Sequence, residues 1–234
     1  MLIIIERLMR RFADHLPWQV KYLCGKAGVG GMDISIDRHF EYAFVIGRLK
    51  DRKKGILVDV GGTGSLLSPM LVALGYGVIG YDLHPWNLNF PRYEHRVGNA
   101  CHMQLKDSTV DVCVSISCIE HMGDKRYGNN NTATDKLFME EVLRILRPGG
   151  ILIISMPYGV AQELPSHRVY DEEQIKKLTE GFIELSREIY VPSSDKDQFH
   201  YLVGSAEEAR VKRPWFRYSV LALELQKPDD RPGH

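Results

Sequence analysis

The stretch Asp59-Val-Gly-Gly-Thr-Gly64 and the carboxylate of Asp82 have the types and spacing to hold a nucleoside. Glycines let a ligand approach the backbone closely, and a helix opening straight after them leaves free N–H groups at its start. A carboxylate about 20 residues on, at the end of the next strand, can accept hydrogen bonds from both hydroxyls of a ribose. The dinucleotide fingerprint G-x-G-x-x-G, counted from Gly62 and Gly64, needs a third glycine at position 67. The chain has Leu67 there, which disfavours a pyrophosphate cofactor of the NAD type. A second chemical pair, Glu120-His121, follows an apolar run further on. A histidine changes charge near neutral pH, so His121 is suited to take a proton from a substrate hydroxyl or to position that substrate. The bland alternative is a histidine that caps or packs, with Glu120 structural. The remaining histidines are scattered, and no H-x-E-x-x-H or Cys₂His₂ spacing points to a metal.

Strands and helices must bring these residues together. Residues 56–60 form a short continuous apolar run, as a strand buried on both faces requires. A helix over 66–74 is closed by Gly75, and strands are predicted at 77–81, 95–97 and 110–116. A helix over 134–146 stops at Pro148 and two glycines, before a fifth strand at 151–156 and a helix over 171–179 with an acidic first turn. Such alternation implies a doubly wound, right-handed, mostly parallel α/β sheet, with its ligand beyond the carboxyl ends of the strands. Residues 182–191 and 218–226 read as two strands with no helix between them, an antiparallel pair at one edge. Upstream, 1–54 is a helical segment in which the glycine-dense 26–33 separates an amphipathic first helix from a second over 37–49. The expected organisation is therefore a helical segment 1–54, a catalytic domain 55–227 and a frayed, disordered tail 228–234.

Several phrases in this order resemble the class I S-adenosylmethionine-dependent methyltransferases, with a type 11-like methyltransferase domain. Asp59, Gly61, Gly62 and Gly64 match that family's acid-x-G-x-G loop, and Asp82 its ribose acid. Gly98-Asn99-Ala100 matches a G-D-A segment, DSTVDVCVSISCIEHM (107–122) the fourth-strand signature, and LRPGG (146–150) the turn from helix to strand. The similarity covers about 55–157. It implies a Rossmann-like seven-stranded sheet of order 3-2-1-4-5-7-6 with an antiparallel last strand. It also implies S-adenosylmethionine as cofactor, held by Asp59, Gly61, Gly62, Thr63, Gly64, Asp82, Leu83, Asn99, Ala100 and Ser117, with His121 on the acceptor side. The family's usual residue at 99 is an aspartate that accepts from the adenine amino group. Asn99 still offers an amide oxygen but no charge, so weaker adenine binding is expected. Arg38 or Tyr42, on the helix before the first strand, are placed to touch the cofactor, with Phe40, Phe44 and Val45 as core. The loops 121–135 and 156–171, with Tyr158, His167, Arg168 and Tyr170, are expected to shape the acceptor pocket. They resemble methyltransferases that modify sugars or polysaccharides, which points to a small-molecule or sugar hydroxyl. The alternatives are a non-catalytic cofactor-binding or scaffolding domain and an NAD-dependent dehydrogenase.

Composition narrows the partners. The 234 residues carry 30 basic and 30 acidic side chains, so no global field recruits nucleic acid or an anionic membrane. No stretch approaches the roughly 20 apolar residues that span a bilayer, and Glu6 and Arg7 interrupt the apolar start before a signal peptide can form. The four cysteines form no CxxC pair, which fits reduced thiols and a cytoplasmic location. Ile5, Leu8, Met9 and Phe12 share one helical face, suited to packing on the main domain or on a second subunit of a homo-oligomer.

Overall fold

In the computed structural model the described residues are 37–123, 134–164, 167–193, 201–211 and 218–229, all within one unit, Ile36–His234. Expectations for the first helix, for an oligomer built on it, for the Arg38 side chain and for the last five residues lie outside the described residues. Helix α1 (Asp37–Leu49) leads into strand β1 (Ile56–Val60), helix α2 (Leu67–Ala73), β2 (Gly77–Asp82), β3 (Tyr93–Val97) and β4 (Val110–Ile116). Helix α3 (Thr134–Ile145), β5 (Leu146–Tyr158) and a small hairpin of β6 (Gln162–Glu163) and β7 (Arg168–Val169) follow. Then come α4 (Glu172–Leu178), β8 (Ile183–Pro192), β9 (Tyr201–Val203), α5 (Ala206–Ala209) and β10 (Ser219–Gln226).

The main sheet has the order β3-β2-β1-β4-β5-β10-β8-β9. Strands β1 to β5 are parallel, and β10 enters antiparallel between β5 and β8. With β8 and β10 as the sixth and seventh strands of the expected scheme, this is the order 3-2-1-4-5-7-6 plus one further edge strand. That extra strand, β9, pairs antiparallel with β8 through contacts such as Val191 with Leu202. Three residues carry too little periodicity to announce a strand. The short helix α5 beside it did leave a signal, the capping box formed by Ser205 and Glu208.

Apolar side chains alternate between the two faces of the sheet. On one face Leu57, Val78, Val112, Val114, Ile116 and Ile153 pack under α1 and α2. On the other Val58, Cys113, Leu152, Ile154 and Leu223 pack under α3, through Phe138, Met139 and Val142. Covering both faces removes nearly every side chain of the central strands from water, Ile56 at the start of β1 being the exposed exception, which is why these strands read as apolar runs. The boundary expected at residue 54 falls inside this unit, because α1 sends Phe44, Val45 and Leu49 into the same core as β1 and β2. Ion pairs fasten α1 and the chain just after it to the far strands. Arg48 meets Glu188 of β8 at 2.9 Å, and Arg52 meets the buried Glu224 of β10. Strand β5 starts at Leu146 rather than 151 because Leu146 pairs with Val110, after which the register shifts and Val112 pairs with Ile151. The Arg-Pro-Gly-Gly turn is thus a bulge within the strand's span. No described helix is long and apolar enough to cross a membrane.

Candidate functional site

The loop after β1 is built against its neighbours before any ligand arrives. Gly61 N–H donates to Tyr81 O at 2.9 Å, extending the β1–β2 pairing past the end of β1. Gly61 has φ +75°, and a Cβ there would run into Cys118 Sγ, so a side chain is excluded on both counts. Gly64 has φ +82°, yet a Cβ on it would meet no atom within 4 Å. The loop is therefore sealed towards the chain after β4 and open on the Gly64 side, which is the shape a ligand cradle needs. Asp59, 2% exposed, accepts from Ser68 Oγ of α2 at 2.6 Å, so its carboxylate anchors that helix beneath the loop.

Asp82 ends β2 as expected and already holds two backbone donors. Its Oδ2 accepts from Thr63 N–H at 3.2 Å and its Oδ1 from His84 N–H at 3.0 Å. A carboxylate has about four acceptor sites, so this use leaves capacity for the two hydroxyls of a ribose. Leu83 beside it is 43% exposed, an apolar surface facing solvent at the same strand end. The donor set, the open glycine and this exposed leucine fit a nucleoside.

Asn99 is exposed and caps the 3₁₀ turn Ala100–His102, with its side chain accepting from Cys101 N–H at 2.9 Å. Ala100 is half-buried as the first residue of that turn. Gly98 N–H donates to Asp82 O at 2.8 Å, so the Asn99 turn and Asp82 lie next to each other. Ser117, directly after β4, takes the left-handed conformation with φ +44°. Its Oγ donates to Glu41 Oε1 of α1 at 2.6 Å, and Ser155 Oγ of β5 donates to the same oxygen at 2.6 Å. Tyr42, the next residue on α1, bonds Ser65 Oγ of the glycine loop at 2.7 Å.

His121 closes the 3₁₀ turn Ile119–His121 and is partly exposed, with Nε2 3.8 Å from Oε1 of the buried Glu120. Its ring lies edge-on to His167, centroids 6.3 Å apart, and His167 lies edge-on to Tyr218 at 4.8 Å. The chain after β4, the segment before β7 and the residue before β10 thus meet at the carboxyl edge of β4 and β5. Other residues expected on the acceptor side are spent on structure. Arg168 pairs with Asp135 at 2.7 Å, donates to Met122 O and contacts Tyr170 Oη at 3.3 Å. Burial first, then the Asp135 charge, pushes the Tyr170 phenol well above the ordinary tyrosine range. Tyr158 is buried, donates to Glu172 at 2.6 Å, and has its phenol pushed up to about 12, chiefly by burial. Most of the loop 121–135 lies outside the described residues. Among the described residues no cluster of His, Cys, Asp or Glu is grouped to hold a metal.

Residues 58–154 match the family model described as a methyltransferase domain. A curated relative from Mycolicibacterium smegmatis, "Probable S-adenosylmethionine-dependent methyltransferase", is 33% identical over 207 residues, covering 78% of this chain and 76% of the relative. Among solved structures, the 1,6-didemethyltoxoflavin-N1-methyltransferase of Burkholderia thailandensis superposes with a TM-score of 0.59 at 15% identity, over 92% of this chain and 91% of that one. A SAM-dependent methyltransferase of Methanosarcina mazei gives a TM-score of 0.55 at 14% identity, over 79% and 98%. At such identities the structures bear on the fold, and the fold they share is the sheet described above.

Proposed function

The chain belongs to the S-adenosylmethionine-dependent methyltransferases, and from that premise we propose that it methylates a hydroxyl of a small molecule or sugar, with His121 accepting the proton. The observation that carries this reading is the meeting of two sets of residues at one sheet edge. The glycine loop and Asp82 occupy the ends of β1 and β2, and His121, His167 and Tyr218 occupy the ends of β4, β5 and β10. When bound, S-adenosylmethionine supplies an electrophilic methyl group on a positively charged sulfur. Asp82 is the partner for its ribose, Leu83 the apolar surface for its base, and Asn99 and Ala100 the turn at the base's edge. Asp59, Gly61, Gly62, Thr63, Gly64 and Ser117 shape the cradle for the remainder.

The chain's main contribution is orientation, since holding two reacting groups in line removes about 7–11 kcal/mol of barrier in favourable cases. A neutral hydroxyl must also lose its proton. His121 is partly exposed beside the buried Glu120 carboxylate, which favours the protonated imidazole formed once a proton has been taken. The crystal structure of the Burkholderia enzyme holds 1,6-didemethyltoxoflavin and S-adenosylhomocysteine, a precedent on this fold for a small-molecule substrate.

The test is an acceptor screen that reads released S-adenosylhomocysteine, followed by His121→Ala on the best acceptor. Turnover is expected to fall by about 10²–10⁴-fold, the usual share of a general base, with S-adenosylmethionine affinity unchanged. Normal turnover reduces His121 to packing. Parallel loss of affinity and turnover moves it to the cofactor side.

A further inference from the structure

We propose that Glu41 of α1 is the positioning residue that sets the direction of the turn carrying His121, a role that draws on the methyltransferase reading only for its kinetic readout. Glu41 has no exposed surface and lies in the stripe of α1 that also presents Phe44, Val45 and Leu49 to the sheet. A carboxylate in an apolar stripe is costly to bury unless its oxygens are hydrogen-bonded. Its Oε1 takes two such bonds, from Ser117 Oγ and Ser155 Oγ, each 2.6 Å long. Ser155 Oγ also accepts from Ser117 N–H at 3.1 Å, so α1, β5 and the end of β4 close a ring of hydrogen bonds around Ser117.

Ser117 is a residue that needs such a ring. Its φ of +44° is a conformation that residues with a side chain seldom take and that persists where the surroundings impose it. The turn begins at the next residue, where Cys118 O accepts from His121 N–H at 3.1 Å. The direction in which the chain leaves Ser117 therefore decides where Cys118, Glu120 and His121 point. Through Tyr42 the same helix grips Ser65 of the glycine loop, and that loop backs onto Cys118 at Gly61. Two adjacent residues of α1 thus hold the two loops that must face each other for methyl transfer.

Both hydroxyls donate to one oxygen, so charge and geometry can be separated by substitution. Glu41→Gln keeps an amide oxygen at the position of Oε1 and removes the charge, whereas Glu41→Ala removes the acceptor. Hydrogen exchange is read over residues 115–122 of the full chain, beside S-adenosylmethionine titration and turnover on the acceptor found by the screen. Glu41→Ala is expected to speed amide exchange of Ser117 and His121 by about tenfold or more. It is expected to lower kcat by about 10- to 100-fold, the cost of a misplaced catalytic group, with cofactor affinity little changed. Glu41→Gln is expected to restore both readouts. Adding Ser117→Gly to Glu41→Ala is expected to recover part of the protection, because glycine enters the left-handed region without strain. Wild-type protection in Glu41→Ala overturns the proposal. So does a Glu41→Gln variant as impaired as Glu41→Ala, which would assign the effect to the charge. If Glu41→Ala does not fold, Ser117→Ala removes one of the two donors and is read by the same criteria. A wild-type protein that releases no S-adenosylhomocysteine on any hydroxyl acceptor would sink the proposed acceptor reading and leave the exchange result to decide this one.

Discussion

Asp82, the proposed ribose partner, has a carboxylate that is already at work in the loop. Its two oxygens already fix Thr63 and His84 N–H groups, so the glycine loop is tied to the end of β2 in advance. Asp82→Ala is expected to weaken S-adenosylmethionine binding by about 1.5–3 kcal/mol, the size of a lost charged hydrogen bond. Calorimetry that finds unchanged affinity in a folded variant removes Asp82 from the site. Asn99 presents the reverse situation. One of the two acceptor sites on its side-chain oxygen is taken by Cys101 N–H, and the other half of the amide is an NH₂ that only donates. In the proposed site an adenine amino group needs an acceptor there. Asn99→Asp supplies a second acceptor while keeping the cap, and is expected to tighten S-adenosylmethionine binding by about 1 kcal/mol, with the gain fading when the amino group is absent from the nucleoside. Equal gains for both ligands would assign the effect to the turn. The sequence shows the departure at position 99 but not that the oxygen is engaged, because a cap two residues long leaves no periodic trace.

Elements were legible in proportion to how completely they are buried. Strands β1 and β4 and helix α1 fall where their apolar patterns put them, since the central strands and the covering helices have one way to leave water. The outer part of the fold depends on ion pairs and caps that a pattern does not encode. Arg187 of β8 reaches Glu172 of α4 at 2.8 Å, and Tyr158 of β5 donates to the same carboxylate. The Arg187 hydrogen bond, and after it the Tyr158 hydroxyl, hold the Glu172 carboxyl below its ordinary value of 4.5. A carboxyl whose value is depressed in the folded state stabilises fully above its unfolded value, and that share is lost as the pH falls through the folded one. Melting temperature measured from pH 7 downwards is therefore expected to drop below about 4.5, and Glu172→Gln to remove part of the drop. A variant with the same acid limb as wild type would show that the pair contributes nothing to stability. Glu41 was not singled out in the sequence, because its partners Ser117, just after β4, and Ser155 of β5 lie far away in the chain.

At the scale of the whole molecule, the parallel order β3-β2-β1-β4-β5 gathers the candidate site loops at one edge, and the antiparallel β10 brings Tyr218 back to that edge. Motifs in the sequence located that edge because strand ends and glycine turns are local. They did not reveal which side chains of the later loops stay available, because Arg168, Tyr170 and Tyr158 are claimed by contacts that only the folded chain creates. Since the loops of β1, β2 and β4 belong to one compact unit, a ligand bound among them in the folded state alone raises its stability. Binding to the folded state alone contributes about 2.7 kcal/mol when the ligand is at 100 times its dissociation constant. For a chain of this size each kcal/mol moves the midpoint by about 2–4 °C, so S-adenosylmethionine at that excess is expected to raise it by about 5–10 °C. S-adenosylhomocysteine shares the ribose and base and is expected to act likewise, whereas NAD, whose pyrophosphate has no third glycine to approach at Leu67, should leave the midpoint unchanged. Thermal melts with the three ligands side by side make the comparison. A shift with NAD equal to that with S-adenosylmethionine would overturn the assignment of Asp82 and the glycine loop to this cofactor, and a shift with S-adenosylmethionine that is undiminished in Asp82→Ala would remove Asp82 from the site.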